Sequence, residues 1–196
     1  MGFLLHSLPK NSPGFTLNEL CVTMAIIATL AGIAIPSYRQ QIETYRLRRA
    51  ARDLYYHMQW SKIDAIKNNS ITRIFFDSVP GQQGYEIWSQ GPNKVWNNKG
   101  GDDILERRVA LSDYGSGISF GQGNAAKSAI QDPEGGKIPA DGISYTGNSA
   151  SFKPDGTAGK LGYVYFRNAK GENYAVGTTY FAGLIVLRKW LGTKWQ

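Results

Sequence analysis

The chain has 196 residues, 42% of them hydrophobic and 19% charged, with a formal charge of +7. This composition excludes a disordered chain and fits one modest domain plus an extra segment, while a single cysteine, Cys21, excludes an intramolecular disulfide. Eleven tyrosines, five tryptophans and 23 glycines favour β-structure with many turns. The basic balance suits nucleic acid, anionic lipid, acidic protein or a merely solubilising surface, and does not choose among them.

Residues 1–14 (MGFLLHSLPKNSPG) carry His6 and Lys10 and no acidic residue. They precede the apolar run, whereas a secretory signal peptide is cut after its apolar region. Residues 15–35 would make a helix of roughly 31 Å, matching a bilayer core of about 30 Å. Within it Glu19 is out of place, because a carboxylate in lipid is costly unless neutralised or paired. Thr16, Thr23 and Thr29 can bond back to their own helix. Ala25, Ala28, Ala31, Gly32 and Ala34 make a slim region against which another helix can pack closely. Gly32 and Pro36 predict a kink or a melted turn.

Beyond Pro36, Leu47, Ala51, Leu54, Met58 and Ala65 recur near the helical period, with Tyr55 and Ile66 beside them. Asn68, Asn69 and Ser70 end the pattern. The prediction is one helix of about 50 residues, half in lipid and half against a sheet. Arg39, Arg46, Arg48, Arg49 and Arg52 follow the apolar run, so charge bias alone would place the remainder in the cytoplasm.

Short β-like runs then fill 71–76, 85–88, 104–111, 118–120, 143–145, 151–153, 162–167, 174–179 and 184–190. Turn chemistry separates them, as at Pro80-Gly81, Gly91-Pro92 and Pro154-Asp155-Gly156. Residues 121–138 read as a long mobile loop. Around Tyr163, Tyr165 and Arg167 both faces carry aromatic rings, so the buried face stays open.

Little in the chain points to catalysis. His57, read as a half-exposed helix residue, is the only histidine after the first segment, too few for a zinc site or a histidine-based nucleophile system. Gly121-Gln122-Gly123 lacks a surrounding βαβ unit, and Asp102, Asp103 and Asp155 lack calcium-ligand spacing. No cofactor and no metal are expected, and the chain is read as a non-enzyme. At the C-terminus Arg188, Lys189 and Lys194 could meet phosphates while Trp190 and Trp195 stack on bases. The plainer account is a final core strand with a frayed end.

Gly14 followed directly by Phe15 ahead of an apolar run, Glu19 four residues on and Pro36 closing the run resemble the type IV prepilin-like proteins. The resemblance implies that a membrane prepilin peptidase cuts between Gly14 and Phe15 and N-methylates Phe15. It also implies that Glu19 meets the Phe15 amine of a neighbouring subunit during assembly. The helix followed by FKPDGTAG (152–159) and GLIVLR (183–188) is similar to GspH/FimT-type minor pilins and pseudopilins.

The implied fold is α+β, with a long N-terminal helix packed on a C-terminal antiparallel β-rich domain. The expected divisions are a leader (1–14), a transmembrane helix (15–36), its amphipathic continuation (37–69) and a β-domain (70–196). The implied role is a structural subunit of a type IV pilus or type II secretion pseudopilus. It would be held in a bacterial inner membrane by a single pass, domain outside the cytoplasm, with other pilins or pseudopilins and membrane lipid as partners. The alternative is a DNA-binding minor pilin serving uptake. DNA-binding members carry a glycine-arginine pair near the end, whereas here Gly183 precedes Leu184 and the basic pair is Arg188-Lys189, so DNA is not the favoured partner.

Overall fold

Apolar residues fill 17–35 and recur on one helical face thereafter, and a single helix, α1 (Leu17–Lys67), accommodates both patterns. The structure, a computed structural model, describes residues 14–77 and 79–196, without the side chains at 36, 37, 39 and 40. The expected leader therefore lies outside the described residues except for Gly14, as does the side chain of Arg39. Two compact units divide at Gln41/Ile42.

In the first unit, α1 starts with a reciprocal cap. The Thr16 backbone N–H and hydroxyl both donate to Glu19 Oε2 at 3.0 Å, and the Glu19 N–H donates to Thr16 Oγ1 at 3.2 Å. This is the capping-box arrangement, which satisfies backbone donors that a helix start leaves orphaned. The following Leu17–Ile35 has a mean hydropathy of 1.8, is long and apolar enough to cross a membrane, and is not buried among the described residues. Thr23 and Thr29 donate to the carbonyls of Leu20 and Ala25 at 2.9 and 2.8 Å, so neither hydroxyl is left unpaired. The melted turn expected at Gly32 and Pro36 is absent, since α1 is unbroken there. Proline removes one donor but holds a helical φ.

In the second unit, Leu47, Ala50, Ala51, Leu54, Met58 and Ala65 are fully buried, as the helical period requires. They pack on eight strands: β1 (Thr72–Phe76), β2 (Gly84–Ser89), β3 (Ile104–Ala110), β4 (Ser119–Phe120), β5 (Ser149–Phe152), β6 (Gly162–Arg167), β7 (Asn173–Tyr180) and β8 (Leu184–Lys189). These form two antiparallel four-stranded sheets, ordered β3-β2-β1-β5 and β4-β6-β7-β8, so the architecture is α+β. One core joins α1 to both sheets, through residues such as Ile74, Tyr85, Phe152, Phe166 and Val176.

Two expectations are corrected. Residues 143–145 form no strand; Ile143 makes only an isolated bridge to Val164, and the chain turns at Asn148 with φ 47°. Residues 121–138 are not a loose excursion. Ala125, Ala129 and Ile138 pack on Tyr163, Tyr165, Trp190 and Trp195, forming a second core on the outer face of the β4-β6-β7-β8 sheet. This cover explains why both faces of β6 are buried.

The Pro154-Asp155-Gly156 turn is held by Asp155 Oδ1, which accepts from Thr157 N and Oγ1 at 2.9 and 2.6 Å. Gly156 has φ +79°, and a Cβ there would meet Ile66 Cδ1 at 3.1 Å. The turn thus lies against the end of α1.

Candidate functional site

Gly14 and Phe15 precede α1 and belong to no helix or strand, and both are exposed, Phe15 by 85%. A protease therefore meets their peptide bond outside any helix. Glu19 lies one turn on, engaged by Thr16 as the cap, a contact that reading Glu19 as an intermolecular charge partner does not anticipate. Pro36 lies within α1, at the residue after the apolar span.

The basic tail does not form one patch. In β8, Lys189 pairs with Tyr174 and Arg188 with Ala175, and strand alternation sends the two cations to opposite faces. Arg188 is on the covered outer face, half-buried beside the Tyr163 hydroxyl, and its Nε is buried without a hydrogen-bond partner among the described residues. Burial raises the Tyr163 hydroxyl pKa, and Arg188 opposes that shift.

The end is not frayed. The Lys189 N–H donates to Gln196 O at 2.6 Å and Leu191 N–H to Lys194 O at 2.9 Å, closing a small hairpin. Trp190 and Trp195 bridge across it, 93% or more buried, with ring centroids 5.4 Å apart. The Trp195 Nε1 donates to Lys127 O at 2.8 Å. Neither indole is presented for stacking on a base. Lys194 is exposed at the rim of a cavity of about 290 Å³ that Lys127, Asp132 and Trp195 also line.

Lys189 instead joins the helix arginines. Its Nζ lies 5.8 Å from the Tyr174 ring centroid. Burial raises the pKa of Tyr174; Arg48 and Arg52 act on the same hydroxyl in the opposite sense, and Glu172 adds to the rise. Arg48, Arg52 and Lys189 therefore converge on one tyrosine, although the last is more than 130 residues away in sequence.

Three further clusters have no sequence signal. Glu86 in β2 is buried yet receives Arg108 Nε at 2.7 Å, Lys99 Nζ at 3.1 Å and Trp88 Nε1 at 3.2 Å. Burial opposes its ionisation, but these donors win and hold its pKa below the ordinary value. His57 is half-exposed as read, with Nδ1 2.7 Å from the Tyr85 hydroxyl; burial, then Arg107, lower its pKa. Asp132, 7% exposed, accepts from the Tyr165 hydroxyl, which in turn accepts from Ala129 N–H at 2.9 Å. Each depends on a contact between distant segments. Among the described residues no group of three or more His, Cys, Asp or Glu side chains is arranged to hold a metal ion. No family model, no curated protein and no solved structure matches this chain.

Proposed function

We propose that the chain is a type IV pilin-like subunit, a minor pilin or pseudopilin, stored in a membrane by Leu17–Ile35 and then drawn into a filament through the same helix. The observation that carries this is the junction at the start of α1. An exposed Gly14-Phe15 peptide leads into a Thr16–Glu19 cap and then an apolar span that is not buried among the described residues. A helix with that surface needs lipid or other helices around it. Cutting at Gly14 leaves the span and its cap on the mature chain.

Intact-mass measurement of membrane-extracted protein tests the proposal. The expected species lacks residues 1–14 and carries one added methyl group. A chain still beginning at Met1 in a host that has a prepilin peptidase would overturn it. DNA uptake is the second reading, and the convergence of Arg48, Arg52 and Lys189 on Tyr174 is what favours it. The burial of Trp190 and Trp195 weighs against it.

A further inference from the structure

At the β4 edge of the second sheet lies a polar cleft of about 670 Å³, between the start of β4, residues 122–124 and the turn joining β6 to β7. Small-molecule sites occupy about 300–1,000 Å³. Ser119 and Arg167 pair in register across β4 and β6, and Arg167 Nε donates to Ser119 Oγ at 3.0 Å. Its Nη1 makes only a long bond, 3.4 Å, to Gln122 O. The guanidinium is thus steadied through Nε, with its outer nitrogens open. The walls are fixed as well. Asn124 N donates to Gly171 O at 2.6 Å, and a Cβ at Gly123 would collide with that same carbonyl. The cleft is therefore formed before any ligand arrives.

The lining discriminates among ligands. None of its residues is acidic. Lys170 meets Glu43 at 3.7 Å, whereas no carboxylate lies within ion-pair distance of Arg167 among the described residues. One positive charge is spare, on a planar fork that matches a carboxylate. A phosphate is held best where backbone N–H groups also point at it. Here those of Gly123, Asn124, Lys170 and Gly171 are already given to Asn173 Oδ1, Gly171 O, Asn168 Oδ1 and Asn168 O. Gln122 and Asn124 donate their amide nitrogens to Ala125 O and Lys170 O. Gln122 Oε1 and Asn124 Oδ1 then remain, with no donor among the described residues. Such oxygens repel an anion and accept from a hydroxyl.

We propose that this cleft binds a sugar acid, with its carboxylate on Arg167 and its hydroxyls on Ser119, Gln122 and Asn124. This activity lies beyond the filament role, and neither depends on the other.

Isothermal titration of the full-length chain in detergent micelles tests the proposal. The probes are glucuronate and trigalacturonate, with acetate, inorganic phosphate and glucose for comparison. A sugar acid should bind saturably and at least about tenfold more tightly than any of the three comparison probes. Tighter binding of trigalacturonate than of glucuronate assigns the source to an acidic polysaccharide; otherwise it is a free sugar acid. Arg167→Gln should weaken binding at least about tenfold. Gln122→Glu keeps the side chain's shape, sets a carboxylate beside the guanidinium, and should do the same. If Arg167→Gln fails to fold, Gln122→Glu and the ranking of the probes decide.

Acetate or phosphate binding as tightly as the sugar acids would mean an adventitious ion only. Glucose binding as tightly would take the charge out of recognition. Either result, absence of saturation by both sugar acids, or indifference to both substitutions would overturn the proposal.

Discussion

Glu19 has two candidate roles, and they separate cleanly by substitution. Within its own chain it completes the cap with Thr16; in an assembly it would offer a negative charge to a neighbouring Phe15 amine. Three hydrogen bonds define the cap. Thr16→Ala removes the two that use the hydroxyl and keeps the charge. Glu19→Gln keeps an acceptor for all three and removes the charge. Glu19→Ala removes both the charge and the two bonds to the carboxylate. Losing the Thr16 cap costs helix stability of about 1 kcal/mol, roughly a fivefold effect. Leaving a buried amine unpaired costs far more, a hundredfold effect or larger on partition into the filament.

The assay compares, for each variant, the amount in the membrane fraction with the amount recovered in sheared filaments or with a tagged partner subunit. All variants should insert equally, since removing a charge from an apolar span does not hinder insertion. Thr16→Ala should incorporate within about fivefold of the unsubstituted chain, and both Glu19 variants should fall about a hundredfold. If Glu19→Gln incorporated normally while Thr16→Ala and Glu19→Ala failed, Glu19 would serve the cap and the charge-pairing mechanism would be refuted.

Burial and Arg107 hold the pKa of His57 below 6.5, so the folded chain resists a proton that the unfolded chain accepts. Stability from this group should be full above 6.5 and lost as pH falls from there towards the folded value, and His57→Gln should flatten that part of a denaturation profile. Tyr165→Phe should leave Ala129 N–H and Asp132 without their shared partner, cost about 1–3 kcal/mol, and shift tryptophan emission to the red as the cover over Trp195 loosens. Duplex DNA titrated at two salt concentrations should bind residues 42–196 weakly. Arg188→Ala should change little, and Arg52→Ala with Lys189→Ala should remove most of the salt-dependent part. Submicromolar binding abolished by Arg188→Ala would instead place the contact on the outer sheet face.

What is legible from sequence follows the range of the interaction. The buried face of α1 emerges from Leu47, Leu54 and Met58 because a 3.6-residue period is local, and the same period leaves Tyr45, Tyr56 and Ile63 facing out. The runs at 162–167 and 184–190 become β6 and β8 because β-branched and aromatic residues lie between turn signals. Pairing of β1 with β5 is not legible, since the two lie more than 70 residues apart and nothing local specifies their register. The run at 143–145 alternates like a strand, yet the segment is claimed by bonds to β6 through Ser144 and Tyr163 rather than by a ladder of its own. Residues 121–138 hide their role because the anchors Ala125, Ala129 and Ile138 are sparse among turn-forming residues and follow no period.

The tail shows where local and long-range information meet. Arg188 and Lys189 are neighbours in sequence, and neighbouring cations invite treatment as one patch. Assigning 184–190 to a strand already divides them, because successive side chains in a strand leave opposite faces. What the strand alone does not tell is the fate of each face. The segment after β4 covers the Arg188 side, where Ala125 and Ala129 pack beside Tyr163 and Tyr165. The other side meets α1, which brings Arg48 and Arg52 to Tyr174 and so to Lys189. The basic surface of this domain is therefore a product of helix docking. Any variant that unseats α1 should disperse the surface even with every cation intact.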